Sequence, residues 1–422
     1  MLRLIRILIR IDWLMRLSSP LVGRFNPFSP AWRRDPYPYY RRLRETAPTY
    51  RSPLLGVTVL TRYDDVLSVL RDPRFSVRRS ESRAFQRLNP FAELSPEFQS
   101  MIERNLLMLD PPDHTRLRGL VAKAFTPRVV ETMRPRIEAL VEELLDRVAA
   151  DGEMELVRDF AEPLPVIVIA ELLGLPREDR AAFKRWADEL AVLVDPVAIV
   201  GGLGRVQGAF DEFCAYLRAA FAARRAAPRD DLISALVAAE DRGDVLSEAE
   251  LISTLILILG AGHETTTNLL GNAVLALLRN PGERKRLQDD PELGESAVEE
   301  FLRYDSPVQA TDRMAKEDLH IGPALVRQGE FAVLLLGAAN RDPARFPEPD
   351  RLDLARCDNH HVAFGQGLHF CLGATLARLE ARIAIDALLR RFPDFDGEHA
   401  PALRRSTTLR GPASLPLVTR TG

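Results

Sequence analysis

Cysteine is scarce: the 422 residues hold three, Cys214, Cys357 and Cys371. None forms a C-x-x-C pair, which excludes a disulfide framework, an all-cysteine zinc site and covalently attached haem of the C-x-x-C-H kind. So few thiols suit a reducing compartment. Lysine is also rare, with only Lys123, Lys184, Lys285 and Lys316 among 57 basic residues. That asymmetry reads as codon bias and says little about function. Neither charge is in excess, since 57 basic and 60 acidic residues leave −3. Phosphate binding needs a large positive surplus, so nucleic acid is not an expected partner. A content of 46% hydrophobic and 28% charged residues excludes a disordered or fibrous chain. Length alone, at about 150 residues per domain, points to two or three domains.

Long apolar runs are missing too. No stretch of about 18 apolar residues occurs, so no spanning helix is expected. Near the start, Arg3, Arg6 and Arg10 fall on one helical face among Leu2, Leu4, Ile5, Ile7, Leu8, Ile9, Trp13 and Leu14. Arginines interrupt what would be the apolar region of a signal peptide. Residues 1–19 read as a basic amphipathic helix. Peripheral membrane contact through residues 1–17 is one expectation. A helix packed on its own protein and a true start at Met15 are the alternatives.

What is present is mostly helical. Residues 20–38, rich in proline and aromatics, read as an extended lead-in. Gly56–Thr61 is strand-like. Residues 72–113 carry Pro73, Pro90, Pro96, Pro111 and Pro112 and read as a long functional loop region. Leu190–Gly204 is apolar and almost uncharged, suited to a lid or to touching a membrane, with an ordinary core-facing connection as the alternative. Ser247 and Glu250 form an S-x-x-E capping box for a helix running to Asn280, where Pro281 stops it. Leu251–Gly262 is apolar nearly all round, as in a buried central helix. Phe331–Leu336 reads as strand, and Cys371–Phe392 as helix.

Two motifs fail. His263-Glu264-Thr265-Thr266-Thr267 begins like H-E-x-x-H but ends in Thr267, so the second zinc imidazole is absent. Gly365-Gln366-Gly367 begins like G-x-G-x-x-G but meets Phe370, with no strand–turn–helix unit around it.

Phe364-Gly365-Gln366-Gly367-Leu368-His369-Phe370-Cys371-Leu372-Gly373 is different. Two glycines permit a tight loop with little bulk, and the cysteine then opens a helix. A sulfur facing free N–H groups at a helix N-terminus favours thiolate. A lone thiolate shielded by an aromatic suits an axial iron ligand. Cys214, mid-helix, and Cys357, in a polar loop, fit ordinary structural cysteines.

This stretch resembles the haem-binding signature F-x-x-G-x-H/R-x-C-x-G of the cytochromes P450 at every defined position. Three further segments support the match. Glu300 and Arg303 resemble the family's E-x-x-R, and Pro349-Asp350-Arg351-Leu352 the segment that supplies a third partner through Arg351. Ala261-Gly262-His263-Glu264-Thr265-Thr266 resembles the oxygen-activation motif A-G-x-[DE]-T-[TS]. His114-Thr115-Arg116-Leu117-Arg118 resembles H-x-x-x-R.

The resemblance, from about Pro36 to near Leu417 and closest to soluble bacterial members, implies the following. The fold is mainly α with small β-sheets, a triangular prism with haem b (iron protoporphyrin IX) between the long central helix and the cysteine loop. Cys371 ligates the iron, with Phe364, Gly365 and Gly373 shaping its loop. His114, Arg118, Arg313 and His369 meet the propionates. Ala261 and Gly262 flank the haem, and Gly262 lets the helix bulge. Thr265 hydrogen-bonds the oxygen substrate and Glu264 relays protons; Thr265 back-bonded to the preceding turn is the plainer reading. Motifs from His114 to Cys371 must converge on one haem, so residues 20–422 form one domain.

The implied activity is a monooxygenase, placing one atom of O2 in the substrate and releasing the other as water. Electrons come from ferredoxin and ferredoxin reductase, docking near Cys371 by Arg116, Lys123, Arg356 and Arg378. The pocket residues, by resemblance, are Phe85, Phe91, Leu106, Leu107, Val192, Ile199, Ile258, Leu259, Ala261, Val308, Ala310 and Leu409. They favour a small lipophilic substrate such as a steroid, terpenoid or fatty acid. Arg78, Arg79, Arg83 and Arg87 read as a solvated face. The expected location is cytoplasmic. A peroxide-driven peroxygenase and a non-catalytic haem sensor are the alternatives; Glu264 and Thr265 argue against the first.

Overall fold

The structure, a computed structural model, describes residues 24–53, 55–82, 94–190, 203–229, 231–241 and 247–420. The expected N-terminal helix of residues 1–19 lies outside these, as do Phe85, Phe91, Val192, Ile199 and most of the 190–204 segment. The helices that position the site are α1 (Pro96–Glu103), α2 (Asp113–Val121), α3 (Pro163–Leu172), α4 (Arg180–Leu190), α5 (Leu203–Ala226), α6 (Glu248–Arg279), α7 (Gly294–Tyr304) and α8 (Ala374–Arg391).

The strands are short. They are β1 (Thr49–Arg51), β2 (Thr58–Leu60), β3 (Phe75–Ser76), β4 (Glu153–Glu155), β5 (Thr311–Ala315), β6 (Leu319–Ile321), β7 (Ala324–Val326), β8 (Phe331–Leu334), β9 (Asp394–Gly397) and β10 (Pro416–Arg420). One sheet has the order β1-β2-β8-β5-β3, a second β4-β10-β9, and β6-β7 form a hairpin. β2 and β8 run parallel with Val59 opposite Val333, and β5 lies antiparallel to β8 with Arg313 opposite Ala332. That register fixes where Arg313 leaves the sheet.

The long helix α6 organises the rest. Ser247 accepts the Glu250 N–H and the Glu250 carboxylate accepts the Ser247 N–H, so both groups cap the helix start. The helix has 32 residues, which at 1.5 Å each is about 48 Å. Its first half packs Leu251, Ile252, Leu255, Ile256 and Leu259 into a core shared with α1, α4 and α5. Its second half packs Leu269, Leu270, Ala273, Val274 and Leu277 into another core shared with α7 and α8. The residues from Gly260 to Asn268 sit where one core gives way to the other. That break is the segment in which His263, Glu264 and Thr265 fall.

Three local expectations need correction. The 72–113 region is not all loop: Ser95 accepts the Phe98 N–H and Pro96 occupies the first turn, so a helix forms there. The helix after the cysteine begins at Ala374, not at Cys371, with Gly373 as N-cap. Gly262 produces no bulge, because α6 is continuous through it. A Cβ there would come within 2.6 Å of Ile169 Cδ1, so the glycine lets α3 approach α6 closely.

The Ser247 cap sits at an exposed end and can be changed without touching either core. Ser247→Ala is expected to lower stability by about 1 kcal/mol, and Ser247→Gly by only a few tenths. Chemical denaturation of the three proteins checks this; equal midpoints would show that the capping box adds nothing.

Candidate active site

The cysteine loop needs its glycines. Gly365 (φ 69°) and Gly367 (φ 72°) both take left-handed backbone. A Cβ on Gly367 would also lie 2.6 Å from the Leu70 carbonyl oxygen. The loop is closed by the Phe370 N–H donating to Gly367 O at 3.1 Å and the Cys371 N–H donating to Phe364 O at 2.9 Å. Cys371 is accessible on one side and surrounded by protein on the others. Burial pushes its thiol up, against a hydrogen bond from the Gly373 N–H and the nearby charges of Arg118 and Arg378.

Next to this loop, basic side chains from three separate segments meet. Arg118 on α2 donates from Nη2 to the Phe370 carbonyl at 2.6 Å. His114, one turn earlier, is 1% exposed, and among the described residues neither of its ring nitrogens has a hydrogen-bond partner. Its ring lies 4.2 Å from that of His369. Arg313 on β5 is buried and donates to Asp312 O at 2.7 Å and Thr311 Oγ1 at 3.3 Å. The Asp312 carboxylate is engaged by Arg79, at 2.6 and 2.8 Å. Arg79 is therefore part of this wall and not of a solvated face.

Burial, and for the two histidines the neighbouring basic groups, hold these side chains down. His369 is pushed down to about 3 by burial first, then by Arg313, His114 and Arg118. His114 is lowered by burial and by Arg118. Arg118 and Arg313 are lowered by burial. Among the described residues none of the four has an ion-pair partner. Two arginines without an ion pair, beside the unpartnered buried ring nitrogens of His114, call for an anion. A ligand with two carboxylates, lying beside an accessible cysteine sulfur, fits them; haem is such a ligand.

The wall behind the loop is built on a fully buried carboxylate. Glu300 and Arg303, both 0% exposed, pair through two bonds of 2.7 Å on one face of α7. Glu300 also accepts from the Asp353 N–H at 2.9 Å, Asn359 Nδ2 at 3.1 Å and Arg356 Nε at 3.2 Å. The third cation of the network is thus Arg356 and not Arg351. The Arg351 side chain is 59% exposed and pairs with Glu348, and only its carbonyl reaches Arg303.

Other expected docking residues are also neutralised within the chain. Arg378 holds Glu299 at 2.6 and 2.8 Å and lies over the Phe364 ring at 4.6 Å. Arg116 pairs with Glu250. Lys123 has no ion pair among the described residues. Leu368, at the loop's tip, is 48% exposed.

On α6, Thr265 Oγ1 donates to Ala261 O at 2.9 Å, and Thr266 and Thr267 bond back in the same way to Gly262 and His263. The plainer reading of Thr265 is therefore the arrangement seen here. The Glu264 carboxylate lies 4.0 Å from Arg404.

A narrow cleft is lined by Phe98, Met101 and Ile102 of α1, by Asn105, Leu107 and Met108, by Leu190 of α4 and Phe210 of α5, and by Ser253, Ile256, Leu257, Gly260 and Ala261 of α6. Of the expected pocket residues, it brings together Leu107 and Ala261. Leu106, Ile258 and Leu259 belong to the apolar core beside it. Val308 and Leu409 instead face each other across an isolated β-bridge, and Ala310 packs near Trp32 and Tyr40. Phe98, Met101 and Ile102 were missed. Their i, i+3, i+4 spacing was readable, but the surrounding prolines pointed to loop.

Comparison with known proteins agrees with this geometry. Residues 204–401 match the family model described as Cytochrome P450. Cytochrome P450 107B1 of Saccharopolyspora erythraea is 45% identical over 400 residues, covering 92% of this chain and 96% of its own. The chain belongs to the cytochrome P450 family. Vitamin D(3) 25-hydroxylase of Pseudonocardia autotrophica is 42% identical, over 96% of this P450 and 98% of the relative. The crystal structure of P450BioI with acyl carrier protein ligated to hexadec-9Z-enoic acid superposes with a TM-score of 0.83 at 40% identity, covering 92% of this chain and 99% of that one. Membership makes the protein an oxygen-incorporating oxidoreductase with a haem–thiolate iron cofactor, using O2 and redox partners. Among the described residues, no helix of this P450 is long and apolar enough to cross a membrane.

The clamp beside Phe364 has a pH signature. Burial raises the Glu299 carboxyl, but hydrogen bonds from Arg378 and His361 outweigh it and hold the group down at about 2. Its ordinary value is 4.5. The resulting stability is present above that value and is lost as pH falls through about 2, in total about 3 kcal/mol. Glu299→Gln is expected to flatten the fall in urea-unfolding stability below pH 4.5. An unchanged slope would show that the clamp does not couple to folding.

Proposed function

We propose that this P450 hydroxylates a small lipophilic molecule of the steroid, terpenoid or fatty-acid kind. Its electrons would come from ferredoxin and ferredoxin reductase, its cofactor would be haem b, and its location cytoplasmic. The observation that carries the substrate class is the cleft beside Ala261. Its walls are apolar, and its polar members are turned to the backbone: Ser253 donates to Met101 O at 2.5 Å, and Asn105 bonds Ile102 O and the Leu107 N–H. Among the described residues, no charged side chain lines it. Such a lining selects shape and apolar area.

Haem b is supported by the four basic groups, which have no ion-pair partner among the described residues and suit two free propionates, and by the lack of a C-x-x-C-H pair. When bound, thiolate-ligated haem supplies the oxygen-activating chemistry. The chain's own part is to hold, orient and deliver protons. Cys371 presents the sulfur from a loop that its two glycines and Arg118 keep in place. His114, Arg118, Arg313 and His369 orient the carboxylates. Thr265 offers a hydroxyl that can accept one hydrogen bond while donating another. Glu264, beside it, holds the proton to be passed on.

The Leu368 tip with Lys123 nearby in sequence to α2 supports a docking face for a small acidic redox protein. Arg71, which donates to Gln366 of the same loop, adds a second cation.

Thr265→Ala is expected to keep oxygen consumption while product yield falls severalfold and hydrogen peroxide rises. Measuring product and peroxide per O2 with a substrate found by low- to high-spin shift in a steroid, terpene and fatty-acid panel checks this. Unchanged yield in the variant would contradict the role given to Thr265, and shifts only with charged, polar compounds would contradict the substrate class.

A further inference from the structure

Glu264 is joined to the protein surface by a closed set of ionic contacts. Its Oε1 lies 4.0 Å from Arg404 Nη1. Arg404 Nη2 lies 3.7 Å from Glu162 Oε1, at the N-cap of α3. The other Glu162 oxygen is 3.2 Å from Lys184 Nζ, and Lys184 is 2.8 Å from Asp188, both on α4. Asp188 then returns to α6, 3.7 Å from His263 Nε2. His263 is the residue before Glu264, and its Nδ1 bonds Leu259 O at 3.0 Å. Two consecutive residues of one helix thus close a ring through three other segments.

The charges of the ring are ordered. Three carboxylates (Glu264, Glu162, Asp188) alternate with two cations (Arg404, Lys184), and the His263 ring closes the set. Exposure is graded as well. Asp188 and Lys184 are about two-fifths exposed, whereas Glu264 and Glu162 are mostly buried. Arg404 is fixed from its backbone, where its N–H donates to Gly411 O at 3.0 Å. Its Nε is buried without a hydrogen-bond partner, so the guanidinium is not saturated by that turn. At 3.7–4.0 Å its two ionic contacts act by charge more than by direct hydrogen bonding. Such a hold orients a carboxylate and still lets it exchange a proton.

We propose that Arg404 is a positioning residue for Glu264, and that the ring through Glu162, Lys184 and Asp188 sets the aim and ionisation of that carboxylate. The inference rests on the proton-relay role given to Glu264. It adds residues that no motif in the sequence marks. It also ties the relay to α4, whose Leu190 lines the substrate cleft.

The test uses the holoenzyme, wild type and Arg404→Gln, Arg404→Lys and Glu264→Gln. Infrared difference titration reads the Glu264 carboxylate, assigned by its absence in Glu264→Gln. Its midpoint is expected to rise by roughly one pH unit in Arg404→Gln, because a neighbouring cation is lost, and to return in Arg404→Lys. Product formed per electron pair should fall severalfold in Arg404→Gln, most at low pH, and recover in Arg404→Lys. An unmoved midpoint in Arg404→Gln, or no rescue by lysine, overturns the inference. If Glu264→Gln leaves coupling intact, it is the relay reading that fails, while the infrared arm still judges Arg404. Should Arg404→Gln not fold, Glu162→Gln removes a carboxylate from the ring. The midpoint is then expected to fall, and no movement overturns the inference.

Discussion

Basic side chains gathered beside the cysteine with no ion-pair partner among the described residues are the constraint on which the site depends. His369 is held down by burial and then by Arg313, His114 and Arg118, His114 by burial and Arg118, and the two arginines by burial. Arginines withdrawn from water without an ion-pair partner are unfavourable until an anion joins them. The fold delivers these groups from a helix, a strand and the cysteine loop, and the register of β5 on β8 places Arg313 among them. Stability and cofactor choice are therefore linked: the ligand that neutralises them carries two carboxylates and ends beside Cys371.

The second support is the buried Glu300 carboxylate. It receives Arg303, Arg356, Asn359 and the Asp353 N–H, and so ties α7 to the segment leading into the cysteine loop. Breaking one partner of such a pair typically costs about 3–5 kcal/mol, because the remaining charge is left buried. The same loop is clamped from its other side by Arg378 over Phe364. The cysteine loop is thus braced by two ionic assemblies.

How much of this could be read from the chain depended on how local the determinant was. The cysteine loop was legible because its glycines are required by backbone and by the Leu70 carbonyl, both set within or next to the motif. The ends of α6 were legible because Ser247, Glu250 and Pro281 act within one turn. Arg356 was not, since it and Arg351 lie five residues apart and a turn decides which side chain points inward. Helix α1 was hidden among prolines, one of which in fact starts it. The partners of Glu264 were also out of reach, because Arg404 and Glu162 become neighbours only once α3, α4 and the C-terminal segment have packed on α6.

Everything turns on whether Cys371 thiolate holds haem iron beside His114, Arg118, Arg313 and His369. Its most direct measurement is the absorption spectrum of the purified protein, reduced and saturated with carbon monoxide. The account predicts bound haem with the strongly red-shifted Soret band of thiolate ligation, and loss of that band in Cys371→His. A protein that binds no haem, or whose Soret band stays at the position of a nitrogen-ligated haem, would contradict it.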